Sequence, residues 1–415
     1  MRGKLLIINE EKFISHFLAF LLNWNVICGI FEGISQIINP VLQLKGINTS
    51  FFAMAFILVT GFIIIKRNKY SFSLLMLLLW LIFLLISFVI VSPILAIASR
   101  AMIYFVLNIF CISYLFSQIR DIKQLLDNLM LYVYLCLIYC AIQFFLPENV
   151  GSYSMTFTYS TMVSGLLTLI RGLKEKNRRK RVIYLIIFLF IFISNLKYGS
   201  RGGMVCYVFA IVLLFYFSDR RKQIKISVSF TALILLVAVN FSKIIEFLML
   251  KFPNSRNIRL IASGQFFYWS GRDEYYSYIL DQIKIAPLKF RGLYSDRIYL
   301  ANWFGREGKD ELWGTYAHNI YLEALFQFGC LMLPVLMVST IYIFLYLRRV
   351  KRTYYDELIV LSIIFISFSV CQLMLSSSYL LAPSFGGLVG MILMEKRLKR
   401  PKSEYKIKKK IEFNM

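Results

Sequence analysis

Residues 315–329 read Thr315-Tyr316-Ala317-His318-Asn319-Ile320-Tyr321-Leu322-Glu323-Ala324-Leu325-Phe326-Gln327-Phe328-Gly329. A long polar segment ends here, and an apolar run begins that continues to residue 347. A run of that length can cross the hydrocarbon core of a bilayer as a helix. The stretch also holds one of the only two histidines in the chain. A group that can take up a proton near neutral pH therefore stands at a boundary between water and membrane.

Similar apolar runs recur on both sides of it. Twelve spans are expected, at 13–38, 47–65, 70–91, 94–117, 125–146, 153–171, 182–197, 201–218, 224–241, 318–347, 356–377 and 381–395. The composition agrees: 59% of the 415 residues are hydrophobic and the mean hydropathy is +0.67, far too apolar for a soluble domain of this size. Few glycines and prolines (21 and 8) and no regular alternation argue against a barrel. Only helices and closed barrels satisfy their backbone in lipid, so the expectation is an all-α, polytopic integral membrane protein. The seven cysteines lie within apolar stretches and read as packing or lipid-facing residues rather than disulfides. The first apolar run is long, lacks a small-residue cleavage pattern and is followed by more spans, so it does not read as a cleavable signal peptide.

The formal charge is +25, from 47 basic and 22 acidic residues. In a soluble chain this would suggest nucleic acid. Here the basic residues lie between spans, which points to topology and anionic headgroups instead, with no nucleic-acid partner. Placing the N-terminus inside puts 32 of the 47 basic residues on the cytoplasmic side. The expected organisation is spans one to nine in 1–240, an extracytoplasmic loop in 241–317, spans ten to twelve in 318–395, and a basic cytoplasmic tail in 396–415 resting on anionic lipid. The 77-residue loop carries eight acidic and eleven basic residues and is not low-complexity. Long structured loops in compact proteins are usually functional. Within it, Ile279, Leu280, Ile283 and Ile285 hint at a short amphipathic helix near the interface.

Three pieces of sequence carry chemistry. Ser200-Arg201-Gly202-Gly203 opens the eighth span, whose N-terminus faces outside in this topology. Free N–H groups, two glycines and an arginine fork make a phosphate-binding corner; the alternative is a snorkelling arginine at an interface. Ser270-Gly271-Arg272-Asp273-Glu274 offers a second arginine, which could equally be a surface ion pair with its acidic neighbours. Arg291, Asp296 and Arg297, around Phe290-Arg291-Gly292-Leu293-Tyr294, are weaker signals. His318 is the third piece. At the start of an inward-running helix, the dipole's positive end favours the neutral imidazole, the form that accepts a proton; a capping histidine is the alternative. Tyr321 and Leu325 share its helix face, whereas Glu323 points away and is expected to pair with an arginine of another segment. Arg100 and Glu32 lie inside spans near their outer ends and could pair or line one cavity. His16 reads as structural.

Arg-Gly at the outer start of a span, an external Ser-Gly-Arg, Pro287 followed by Gly292 and Tyr294, then His318-Asn319-x-Tyr321-Leu322 and Gly329 resemble the O-antigen ligase and O-antigen polymerase superfamily. The motifs cover roughly residues 180–345. Two departures stand out: Arg291-Gly292-Leu293-Tyr294 replaces the usual Gly-x-Gly, and Asp273-Glu274-Tyr275-Tyr276 replaces the aromatic expected after Ser-Gly-Arg. The resemblance implies a GT-C-type inverting glycosyltransferase whose donor is an undecaprenyl-diphosphate-linked oligosaccharide. His318 would be the base, with Arg201 and Arg272 on the diphosphate. Arg100, Arg291, Arg297, Asn319, Tyr321 and Glu323 would line the substrate site. Arginines on the leaving diphosphate would hold its growing charge more tightly in the transition state. No cluster of Asp, Glu or His with metal-ligand spacing is present outside the spans, so no metal or other cofactor is expected and arginines take that place. The leading expectation is a repeat-unit polymerase, with a possible chain-length-determining co-polymerase as partner. A ligase delivering glycan to lipid A-core is the alternative within the fold, and a flippase or transporter the alternative outside it.

Overall fold

The structure is a computed structural model of the chain. It describes residues 10–38, 49–67, 74–75, 77–79, 81–82, 85–86, 103–146, 154–266, 272–305, 315–353 and 355–395. Among these, every regular element is helical. The first part of the chain gives α1 (Glu10–Leu22), α2 (Trp24–Ile38), α3 (Thr49–Arg67), a π-helical turn (Val106–Cys111) leading into α4 (Ile112–Gln118), and α5 (Ile122–Phe145). Then follow α6 (Met155–Lys174), α7 (Arg178–Tyr198), α8 (Arg201–Phe217), α9 (Arg220–Val239), α10 (Phe241–Lys251) and α11 (Arg256–Ala262). The last part holds α12 (Arg272–Ile285), α13 (Ser295–Trp303), α14 (Ile320–Phe328), a 3₁₀ turn (Cys330–Met332), α15 (Leu333–Thr353), α16 (Asp356–Leu375) and α17 (Pro383–Glu395).

Among the described residues, four helical stretches are long and apolar enough to cross a membrane: Ile122–Phe144, Arg178–Tyr198, Cys330–Arg352 and Asp356–Leu375. The pair α1 and α2 makes a fifth if taken as one span. It bends by 52° at Asn23, whose side-chain amide donates back to the Ala19 carbonyl. The segments 52–66, 103–118, 201–217 and 383–395 are shorter apolar helices. Parts of the spans expected at 70–91 and 94–117, and the whole basic tail, lie outside the described residues.

α16 is the centre of the bundle. Apolar residues occupy all of its faces, and most of the helix from Leu358 to Leu373 is buried. Its serines cause no orphan hydroxyls at Ser362 and Ser367, which donate to the carbonyls of Leu358 and Ile363 one turn back. α17 packs against α16 and α4 through small residues. A Cβ at Gly386 would overlap the carbonyl oxygen of Asn108, so only glycine allows that approach.

α10 follows α9 after Asn240 alone, so the segment expected outside the membrane opens with a helix. One expectation from sequence is corrected. The span expected at 318–347 is not one helix. α14 stops at Phe328, and the spanning stretch begins at Cys330. The break is held from outside the helix. Gly329 has φ +71, and the Cys330 N–H donates to the Pro287 carbonyl at 2.7 Å.

The amphipathic signal at 279–285 becomes α12. Ile279 and Ile283 are buried with Leu300, Ala317 and Phe326, while Leu280 and Ile285 stay exposed. This small core ties α12, α13 and α14 together. A second cluster joins Leu293, Tyr294 and Phe328 to Leu373, Tyr379 and Leu380. It seats the 272–328 subdomain on the C-terminal end of α16.

Candidate active site

The corner at Arg201 is made by two residues, Gly199 and Ser200, that turn α7 into α8. The last carbonyls of any helix lack helical partners. Here Asn257 fills that role: its amide donates to the carbonyls of Gly199 (2.7 Å), Leu196 (3.2 Å) and Asn195 (3.3 Å). Ser255 Oγ adds a bond to Leu196 at 3.0 Å. The Ser200 N–H donates to Thr158 Oγ1 at 2.5 Å. The first turn of α8 is thereby fixed, and Arg201 Nη1 donates to the Phe266 carbonyl. Gly202 lies against another segment: a Cβ there would stand 2.8 Å from Tyr159 Oη and 3.4 Å from Ser376 Oγ.

Ser376 is where the other two candidates meet. Arg272, the first residue of α12, donates through Nη1 to the carbonyl of Leu375, the last residue of α16. A guanidinium at a helix C-terminus meets the negative end of its dipole. The next carbonyl, Ser376, accepts from Tyr316 Oη at 2.6 Å and also faces the His318 imidazole. Among the described residues, His318 Nδ1 has no hydrogen-bond partner. We therefore assign the ring proton to Nε2, directed at Ser376, which leaves the lone pair on Nδ1.

His318 does not begin a helix, as the sequence suggested. It has φ +51 and precedes Asn319, the N-cap of α14. The ring lies 3.9 Å from that of Tyr316 and 6.3 Å from that of Tyr275, centroid to centroid. Burial first, then the charge of Arg272, hold the imidazole far below its ordinary value, to about 3. Arg297 adds a smaller push, and the Ser376 carbonyl opposes it. The ring is neutral at physiological pH, from desolvation and positive neighbours rather than from a helix dipole.

Beneath the ring lies a buried polar network. Asp296 accepts from the Ala317 N–H (3.2 Å) and from Gln327 Nε2 (2.9 Å). Glu323 Oε1 accepts from Ser378 Oγ and, at 3.4 Å, from Gln327 Nε2. Gln327 Oε1 accepts from Tyr379 Oη at 2.7 Å. Arg297, fully buried, stacks over Tyr316 at 4.6 Å. It acts electrostatically on both carboxyls. The arginine of another segment expected near Glu323 is thus Arg297, which acts on it through charge, while Ser378, Gln327 and the Tyr379 N–H hydrogen-bond its carboxyl.

Three expected substrate contacts are engaged in the fold. Arg291 is buried, with Nη2 on the carbonyls of Gln282 (2.5 Å) and Ala286 (3.3 Å) and Nη1 toward Phe326 and Lys289 (both 3.4 Å). It closes the end of α12 and holds it to α14. Asn319 Oδ1 caps α14 by accepting from the N–H groups of Tyr321 (3.0 Å) and Leu322 (3.2 Å). Tyr321 Oη bonds Thr340 Oγ1 at 2.7 Å, bridging the break between α14 and α15. Arg100, Ser270 and Gly271 lie outside the described residues, so the expected pairing of Arg100 with Glu32 does too.

Sequence reasoning passed over the turn that gathers the site, Leu375-Ser376-Ser377-Ser378. Its signal was three consecutive serines at the end of an apolar run. Asn257 gave no signal of its own.

No curated protein matches the chain. The O-antigen ligase family model matches residues 186–337, which run from within α7 to the start of α15 and include Arg201, Arg272 and His318. The apolar helices and that match together support an integral membrane protein, and the family suggests a glycosyltransferase-like enzyme. Over residues 186–337 the chain is similar to the O-antigen ligase family, a match that supports the O-antigen polymerase and ligase superfamily.

Proposed function

We propose that the protein transfers a glycan from undecaprenyl diphosphate to a sugar hydroxyl by single inverting displacement, and that its acceptor is a lipid-linked repeat unit. The observation that supports this is the meeting of Arg272 and His318 on two successive carbonyls, Leu375 and Ser376, beside the first turn of the Arg201 helix.

In this reading the acceptor hydroxyl gives its proton to His318 while its oxygen attacks the anomeric carbon. The bond from that carbon to the phosphate oxygen breaks, and the electron pair leaves with the diphosphate. Arg201 and Arg272 hold the growing negative charge, with the N–H groups at the start of α8. The charge of the loops supports an extracytoplasmic site. Membrane lipid surrounds the bundle, and a chain-length-determining co-polymerase is a candidate partner.

The ligase reading draws on the description of the matching family. A deletion strain separates the two. A polymerase is expected to leave single repeat units on the final acceptor when it is lost. Complete loss of attached glycan would instead favour ligase, and an unchanged banding pattern would remove both.

A further inference from the structure

Glu323 is buried on α14, five residues past His318, and its Oε1 accepts from Ser378 Oγ. Ser378 also accepts, through Oγ, from the Leu380 N–H at 3.2 Å. The serine is therefore clamped between the carboxyl and its own turn. Two residues earlier, the same turn presents the Ser376 carbonyl to His318 and Tyr316, and before that the Leu375 carbonyl to Arg272. Gln327 and Tyr379 reinforce the clamp from α14 and from the turn itself.

We propose that Glu323 is a positioning residue for His318 and Arg272, acting through Ser378 to fix the Leu375–Ser378 turn on which both rest. The inference depends on the transfer reading above. Glu323 needs no negative charge for this task, only an acceptor at Oε1. Two carboxyls, Asp296 and Glu323, share the neighbourhood of one guanidinium, Arg297. Burial and the Asp296 charge push Glu323 up to about 8, which favours the protonated acid at neutral pH. A glutamine would reproduce that shape and its acceptor oxygen.

The test uses the full-length protein in nanodiscs, with an undecaprenyl-diphosphate-linked repeat unit as both donor and acceptor. Glu323→Ala and Ser378→Ala are each expected to lower kcat by roughly 10- to 100-fold, with donor KM within about twofold. Glu323→Gln should recover most of that loss. The double alanine variant should be no worse than Glu323→Ala alone, because both remove one contact. The proposal fails if Glu323→Gln is as impaired as Glu323→Ala, if donor KM carries the loss, or if the two alanine effects multiply. Should Glu323→Ala not fold, the glutamine and Ser378→Ala variants still decide. His318→Ala is run alongside: retained transfer there removes the reading of His318 as base, whereas a failed Glu323 series with an inactive His318→Ala removes only the positioning role.

Discussion

Arg272 and His318 rest on consecutive peptide units, the guanidinium on the Leu375 carbonyl and the imidazole against that of Ser376. The pair is thereby held in register by the end of one buried helix rather than by each other. This relationship makes the imidazole separable from the fold. His318 adopts a left-handed conformation, φ +51, which asparagine tolerates better than alanine. His318→Asn is expected to melt within a few degrees of wild type and to lower transfer by about 10²- to 10⁴-fold, the usual contribution of a general base. Measured chain extension near the wild-type rate in a well-folded His318→Asn protein would end the base assignment.

The titration of His318 gives a second expectation, with a definite sign. The folded ring is held down to about 3, against 6.5 for an unperturbed histidine. Its neutral form in the fold therefore contributes stability that is complete above about pH 6.5 and lost as pH falls toward 3. At pH 5 the deficit is about 2 kcal/mol, from 1.5 pH units at 1.36 kcal/mol each. The chain has only two histidines, so ¹³C-histidine NMR assigned with a His16 variant can follow the ring directly. The His318 resonance should remain neutral at pH 5. Saturation with undecaprenyl diphosphate should move its titration upward, because the diphosphate offsets the Arg272 charge that helps to hold it down. A resonance that titrates near pH 6.5 in the free protein would contradict the burial argument.

Gly202 makes a third case. A methyl group there meets Tyr159 Oη at 2.8 Å and Ser376 Oγ at 3.4 Å. Overpacking of this kind costs about 1–3 kcal/mol and displaces its neighbours. Here the neighbours are Tyr159 of α6 and the turn under His318, so the strain falls between the start of the Arg201 helix and that turn. Gly202→Ala should lower transfer by roughly tenfold. Among the described residues the buried Tyr159 Oη makes no hydrogen bond of good geometry, with the Ser200 side chain close by, so removing it should cost little. Adding Tyr159→Phe to Gly202→Ala should then restore much of the activity in the nanodisc assay. If the double variant is no better than Gly202→Ala, the clash with Tyr159 is not the cause.

The sequence made the long helices plain because apolar runs of about 20 residues have one structural solution in lipid. α5, α7 and α16 were readable on that basis. The break after Phe328 was not, since the apolar run continues across it. The interruption is imposed by the Pro287 carbonyl, 43 positions earlier in the chain. Arg201 stood out as an arginine opening an apolar span, Arg272 as an arginine after glycine in the external segment, and His318 as one of two histidines, at the edge of an apolar run. The Leu375–Ser378 turn did not, because a main-chain carbonyl has no side-chain signature. The carbonyl contacts of Arg291 were illegible for a related reason. An arginine that clamps carbonyls within a fold looks, in sequence, like one that waits for a phosphate.

That same break supplies a stability prediction. Gly329 sits at φ +71, and a Cβ there would come within 3.0 Å of both the Leu288 carbonyl carbon and the Pro287 oxygen. Those are main-chain atoms, fixed by the N–H groups of Arg291 and Gly292 on the Gln327 carbonyl (2.9 and 3.0 Å) and of Cys330 on Pro287. They cannot rotate away as a side chain could. The left-handed backbone costs an L-residue about 1–2 kcal/mol, and the contact adds overpacking of similar size. Gly329→Ala should therefore lower stability by about 2–4 kcal/mol, read as a reduced melting temperature in detergent. Ala324, buried in the preceding helix with ordinary backbone, is a poor site for the same penalty, so Ala324→Gly serves as a comparison at about 1 kcal/mol. Equal melting of Gly329→Ala and wild type would mean that the α14–α15 junction yields freely, and that the subdomain carrying His318 is not held to α15 in the way described.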